Sequence, residues 1–401
     1  MDLKYSDEYE AFRGEVKAFL EQNWPLKDEE AKLSGPEKST LFRQRAIEHG
    51  FVARSIPKRY GGSEQAPDVL RARIIAEEFA KAHAPADIRG IGASMLVPTL
   101  LEHGEEWQKE RFIPPTIRGE MIWCQGYSEP GSGSDLASLQ TKAELDGEEW
   151  LINGHKVWTT GAEIAHYMFC LCRTEPEAEK HAGISYLLID MKTPGIQVSP
   201  LRQMTGTADF CEVFFNDLRI PAKNIVGKRG QGWIVSRSTL KHERNMIGNA
   251  EGTRSTFRAL LRFAKQAQLN GRPAIEDPTV RQRLGQIEGY VASHFYSGYR
   301  QLTLAARGQE AGIAGMLNKL TSTNIAHMMA KLAIDLAGDE ALETPAPDEI
   351  MKINPRGGQA WVSNYMWSLG LSIAGGTANI QRNVIAERGL GLPRDRAVQR
   401  T

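Results

Sequence analysis

Cysteine is scarce in this chain, and the four present, Cys124, Cys170, Cys172 and Cys211, never take the C-x-x-C spacing of a zinc or redox motif. Free thiols in a reducing compartment fit that pattern, and no metal site is suggested. Net charge is absent as well: 49 Lys plus Arg stand against 49 Asp plus Glu, so no global field recommends a nucleic acid or an anionic membrane. Long apolar runs are missing, since stretches such as "AHYMFCLC" fall far short of the roughly 20 residues of a membrane helix. The start, "MDLKYSDEYEAF", has neither the basic-then-apolar order of a secretory signal nor the Arg-rich character of a transit peptide. These absences predict a soluble, cytoplasmic protein.

What is there is enough chain for several packed units, with 41% hydrophobic residues among 401. From Ser6 to about Gly119 the apolar residues recur at helical spacing, as in Phe12, Val16 and Phe19, or Ile74, Ile75 and Phe79. After Ile122, short β-branched runs alternate with turn dipeptides. "LQTKAEL" leads to Asp146-Gly147, and "EEWLI" to Asn153-Gly154 before "HKVWTT", which predicts two hairpins in succession. The helical period returns after Gln231, with Val280, Leu284, Ile287 and Val291 in one segment and Ile313 to Leu336 in another, closed by Gly338. The expected architecture is α+β and multidomain: an N-terminal helical domain over 1–121, a middle β-barrel-like or sandwich domain over 122–230, and a C-terminal four-helix bundle over 231–401.

Four stretches stand out for chemistry. "WCQGYSEPGSGSDLAS" lacks the third glycine and the βαβ setting of a dinucleotide loop, so it is either a solvated interdomain turn or a place where a polar ligand meets backbone. In "NGHKVWTTGA", Trp158 and Thr160 are two apart on a strand and share a face, as core packing or as a platform for a flat ring with a hydroxyl at its edge. "LKHERNMIGNAEG" carries Glu243 beside Arg244; neighbours on a helix point about 100° apart, so they form no face-sharing ion pair. Near the C-terminus, "IAGGTANIQR" holds two adjacent glycines and no group that titrates near neutrality.

Taken together, the order helical, β, helical and the stretches "YSEPGSGSDLAS", "INGHKVWTTGA", "VFFNDLRIPAKNIVG" and "AGGTANIQRNVIAERGLGLPR" resemble the acyl-CoA dehydrogenases over nearly the whole chain. The resemblance implies FAD as cofactor, an acyl-CoA thioester as substrate and an electron-transfer flavoprotein as electron acceptor. It implies that Trp158 packs near the isoalloxazine and Thr160 reaches its N5 region, that Tyr127 and Ser128 border the pyrimidine side with Gln125 nearby, and that Thr377 and Asn379 touch the ribityl and phosphate portion. Ser134 matches a position that contacts the pantetheine arm. Glycines before Thr377 would let the backbone approach closely.

Dehydrogenation needs a carboxylate at the α-carbon while a β-hydride leaves for the flavin. Many family members carry that Glu directly before the Gly-Thr of the C-terminal motif, where this chain has Gly375. A minority place it on a helix of the C-terminal domain before an Arg, which matches Glu243, with Arg244 shaping the pocket and Gly375 leaving room for a bulkier acyl group. The family's usual cross-interface Arg is missing, Ala267 standing about there with Arg272 as a substitute. The ending looks most similar to bacterial members acting on bulky acyl-CoAs, some built from two different subunits. A homodimer, homotetramer or heterotetramer is implied. Two other readings remain: an oxygen-using flavin monooxygenase or oxidase of the same fold, and a non-catalytic subunit of a heteromeric enzyme.

Overall fold

A computed structural model describes residues 5–85, 90–247, 250–345, 355 and 357–393, with the side chains of residues 242–247 excepted. The chain forms two compact units, one of Met1–Leu201 with Asp209–His242, the other of Arg202–Ala208 with Glu243–Thr401.

The first unit opens with helices α1 (Asp7–Asn23), α2 (Gly35–Glu48), α3 (Val69–Lys81), α4 (Val97–His103) and α5 (Glu106–Arg118). Their boundaries follow from local chemistry. Ser34 and Glu37 make a reciprocal capping box at the start of α2, and Asp68 accepts the Leu70 and Arg71 N–H groups at the start of α3. Gly119, with φ +79°, ends α5 in the left-handed conformation that a side chain disfavours. The predicted stripe Phe12, Val16 and Phe19 packs with Phe42, Ile74 and Phe79 into one aromatic-rich core.

Strands follow: β1 (Trp123–Gly126), β2 (Lys142–Asp146), β3 (Glu149–Thr160), β4 (Tyr167–Arg173), β5 (Ile184–Asp190), β6 (Ile196–Leu201), β7 (Phe210–Pro221) and β8 (Ile225–Val226). They form one mixed sheet in the order β6-β7-β3-β2-β4-β5-β8, with β1 running parallel to β4. Both faces are covered, which is why β4 and β5 read as continuous apolar runs. Met168, Cys170 and Cys172 of β4 face a core shared with Cys124, Cys211 and Phe215, while Phe169 and Leu171 face Leu100, Phe112 and Ile113 of the helices. All four cysteines are buried free thiols.

The Asp146-Gly147 hairpin is present, Gly147 turning with φ +62° between β2 and β3. The second expected hairpin is not. Asn153 and Gly154 lie inside β3, where the register against β7 shifts between Ile152 and Gly154. The glycine serves close approach rather than a turn, since a Cβ on Gly154 would sit 2.5 Å from Thr141 Oγ1. Asn153 pairs across the sheet with Asp217, donating to its carboxylate at 3.0 Å and accepting its N–H at 2.8 Å.

Helix α6 (Gly232–Ile247) leaves the sheet region. Its first half is fastened to the first unit by Val235 in the core, by Thr239 bonded to Thr99 at 2.9 Å, and by Ser238 bonded to His103 at 2.9 Å.

The second unit holds α7 (Ala250–Gln266), a short hairpin of β9 (Gln268–Leu269) and β10 (Arg272–Pro273), then α8 (Pro278–Ala306), α9 (Ile313–Ala337), α10 (Gly358–Leu371) and α11 (Ala378–Val384). The predicted stripe Val280, Leu284, Ile287 and Val291 is buried against Phe257, Leu260, Met329, Leu332 and Trp361. Gly338 ends α9 with φ +57°. Among the described residues no helix is long and apolar enough to cross a membrane. The helical, β, helical order is the α+β order expected from the sequence.

Candidate active site

In the first unit, three of the residues singled out from the sequence, Ser128, Trp158 and Thr160, lie at or next to the point where the loop leaving β1 is bonded to β3. The Val157 N–H donates to the Ser128 carbonyl at 2.9 Å. Beyond that bond β3 departs from regular pairing, because its register against β7 shifts between Lys156 and Thr159 and Trp158 adopts φ +60°. An aromatic residue held in the left-handed region is strained, and such strain concentrates at ligand sites. The result is an indole 60% exposed, its edge against Phe210 at 5.9 Å. Thr159 is buried and Thr160 exposed, so Trp158 and Thr160 share the open face as expected.

Two residues behave otherwise. Tyr127 is buried, its ring edge-on to Phe169 and Tyr186 and its hydroxyl bonded to Tyr186, so only its backbone is offered to a ligand. Gln125 is half-buried on β1 in register with Phe169. Ser134 lies exposed in the turn that follows, beside Asp135, whose carboxylate is bonded to Lys180.

Sequence reasoning missed the group beneath this surface. Lys156 is fully buried and donates to Glu129 Oε1 at 2.8 Å and to the Tyr127 carbonyl at 3.2 Å. The Glu129 carboxylate also accepts the Gln140 N–H at 2.7 Å and the Thr141 N–H at 2.9 Å. Burial raises its pKa, but Lys156 and these N–H donors outweigh that and hold the carboxyl below the usual range. Strict alternation from Trp158 and Thr160 would have put Lys156 on the open face; the register shift turns it inward.

The second unit carries the glycine turn. Gly375 and Gly376 have φ +60° and +87°, a conformation glycine tolerates and other residues resist. Two side chains clamp the turn through three hydrogen bonds. Lys319 on α9, itself buried, donates to the Gly376 carbonyl at 2.8 Å and the Ser372 carbonyl at 3.4 Å, and Gln381 donates to the Gly375 carbonyl at 3.2 Å. Thr377 caps α11 by accepting the Ile380 N–H at 3.2 Å, and Asn379 accepts a bond from Arg382 at 3.0 Å. Replacing Lys319 with Met keeps the stem and removes the donor, leaving two carbonyls short of a partner. We expect a loss of about 1–3 kcal/mol in denaturant unfolding, and no loss would show that the clamp is dispensable.

Glu243 and Arg244 lie in α6, Glu243 one turn after Thr239, and their side chains lie outside the described residues.

Comparison with known proteins reveals three family models matching in order: the acyl-CoA dehydrogenase N-terminal domain over residues 6–120, the middle domain over 124–218 and the C-terminal domain over 230–390. The chain is 36% identical over 398 residues to the acyl-CoA dehydrogenase IpdE1 of Mycobacterium tuberculosis, covering 96% of this chain and 98% of that one. Among solved structures it resembles the Tcur3481-Tcur3483 steroid ACAD, with TM-score 0.76, 26% identity and coverage of 98% and 100%. The ChsE4-ChsE5 complex of Mycobacterium tuberculosis is similar too, with TM-score 0.75, 27% identity and the same coverage.

Proposed function

The chain belongs to the acyl-CoA dehydrogenase family, and from that premise we propose that it oxidises a bulky acyl-CoA thioester to the 2-enoyl-CoA, with Glu243 as the base. It is an oxidoreductase. The observation that carries the site is Trp158, an exposed indole on a strained backbone, with Thr160 exposed two residues on and the Ser128 carbonyl bonded to the preceding Val157.

These residues fit a flavin. A flat apolar indole with a hydroxyl on the same face suits an isoalloxazine and its polar edge, and two left-handed glycines at 375 and 376 let backbone approach a ligand without a Cβ in the way. FAD, when bound, supplies the acceptor for the hydride that leaves the β-carbon. Trp158 would hold and orient the ring, Thr160 would supply a hydrogen bond at its polar edge, and Ser128 with Gln125 and the Tyr127 backbone would border its pyrimidine side. Ser134 contacts the pantetheine arm. Thr377 and Asn379 would hold the ribityl and phosphate portion. Glu243 takes the α-proton, Arg244 balances charge beside it, and Gly375 leaves the usual base position open for a larger acyl group.

The Tcur3481-Tcur3483 neighbour is described as a steroid ACAD, which supports a ring-bearing acyl group here. Electron-transfer flavoprotein is the expected oxidant of the reduced enzyme. We also read the chain as cytoplasmic, as divided into domains 1–121, 122–230 and 231–401, and as an oligomer. A heterotetramer is supported by a neighbour that is itself a complex of two subunits.

The test is an anaerobic titration of flavin-replete protein with straight-chain and ring-bearing acyl-CoAs. Bleaching of the flavin absorbance, strongest with the ring-bearing thioesters, is the expected result. No bleaching with any thioester would remove the dehydrogenase reading.

A further inference from the structure

Three consecutive residues leaving β1 are tied to two consecutive residues of β3. The Tyr127 carbonyl and the Glu129 carboxylate both take bonds from Lys156, and the Ser128 carbonyl takes the Val157 N–H. The open-face pair Trp158 and Thr160 begins at the next residue. Glu129 in turn holds the far end of its loop through the Gln140 and Thr141 N–H groups. One ammonium and one carboxylate therefore close a loop of backbone around Ser128.

We propose that Lys156 and Glu129 are a positioning pair that sets the spacing of Ser128 from Trp158 and Thr160, and thereby the seat of the flavin edge. The proposal rests on the flavin reading above. Its physical ground is direction. An apolar pair of like volume could fill the same space with equal or better stability, but it could not hold one carbonyl and two N–H groups at fixed angles. The ammonium carries three donors and the carboxylate about four acceptor positions, so one pair can satisfy that many backbone partners at once. Trp158 needs such a brace, because a left-handed aromatic residue persists only where its surroundings over-determine it.

The experiment uses the full chain and four forms beside the parent: Lys156→Met, Glu129→Gln, the double variant, and Glu129→Asp. Each is stripped of flavin, checked for a cooperative melt, and titrated with FAD by fluorescence quenching; the visible spectrum of bound flavin is then recorded. We expect FAD affinity to weaken about tenfold or more in every variant, with the vibrational shoulders of the flavin band altered. The double variant should lose little more than either single, since the two groups act as one unit.

The single variants leave a buried charge unpaired and are the ones at risk of misfolding. The double variant leaves none, and Glu129→Asp keeps the pair but shortens its reach. If either folds and binds FAD within twofold of the parent with an unchanged spectrum, the positioning role is overturned. A parent chain that takes up no FAD at all would instead sink the flavin reading itself.

Discussion

Glu243→Gln is expected to retain FAD and lose substrate-driven flavin reduction by about 10²–10⁴-fold, the range a positioned general base contributes. The amide matches the carboxylate in shape and keeps a carbonyl oxygen, so packing along α6 should change little while proton removal stops. Stopped-flow reduction under anaerobic conditions with a saturating acyl-CoA reads the step directly. Unchanged rates would place the base elsewhere. Position 375, the commoner place for it, cannot simply take the role over: its φ of +60° favours glycine, and a Glu there would carry about 1–2 kcal/mol of backbone strain. The chain's geometry at that turn is built for a missing side chain.

Periodic features of the fold were legible in the sequence because they depend on neighbours a few residues away. The helix stripes, the Asp146-Gly147 turn and the helix end at Gly338 all follow from local spacing. Asn153-Gly154 misled because the same dipeptide that favours a turn also suits a strand that must pass close to Thr141. Lys156 was hidden for a related reason: period-two alternation predicts its face only if the strand is regular, and here the register shifts. Its carboxylate partner is invisible locally too, Glu129 lying 27 residues away, and the same holds for the glycine turn, whose donor Lys319 is 57 residues from Gly376. The shared face of Trp158 and Thr160 was legible because alternation holds from 158 to 160. The resemblance puts Tyr127 beside a ligand, and its ring is buried edge-on to the stacked pair Phe169 and Tyr186, a packing choice that only the assembled sheet and helices reveal.

Gly232→Ala is expected to destabilise the protein by about 1–3 kcal/mol and to slow flavin reduction by about 10²-fold, the cost of an ångström-scale misplacement of a reacting group. Gly232 begins α6 against β5, and a Cβ there would lie 2.4 Å from the Ser185 carbonyl carbon and 2.6 Å from both Ser185 Cα and Tyr186 N. Those are backbone atoms of a strand buried on both faces, so the helix must yield rather than the sheet. The junction has little slack. Gly230 donates its N–H to Ser185 Oγ at 2.9 Å, that hydroxyl is also bonded to Thr174 at 2.7 Å, and Gln231 bridges to Ile184. Displacing the first turn sets these bonds against the Thr239–Thr99 and Ser238–His103 contacts farther along the same helix. Glu243, the proposed base, follows on that helix, about 16 Å from Gly232 at 1.5 Å per residue, so a tilt at the start is magnified at that position. Gly14→Ala is the control: it lies within α1, where an added methyl would meet nothing within 4 Å, and it should gain about 0.5–1 kcal/mol. Thermal melts and stopped-flow reduction of both variants separate the two cases, and a Gly232→Ala protein that melts and reduces like the parent would show that α6 can shift without moving its carboxylate.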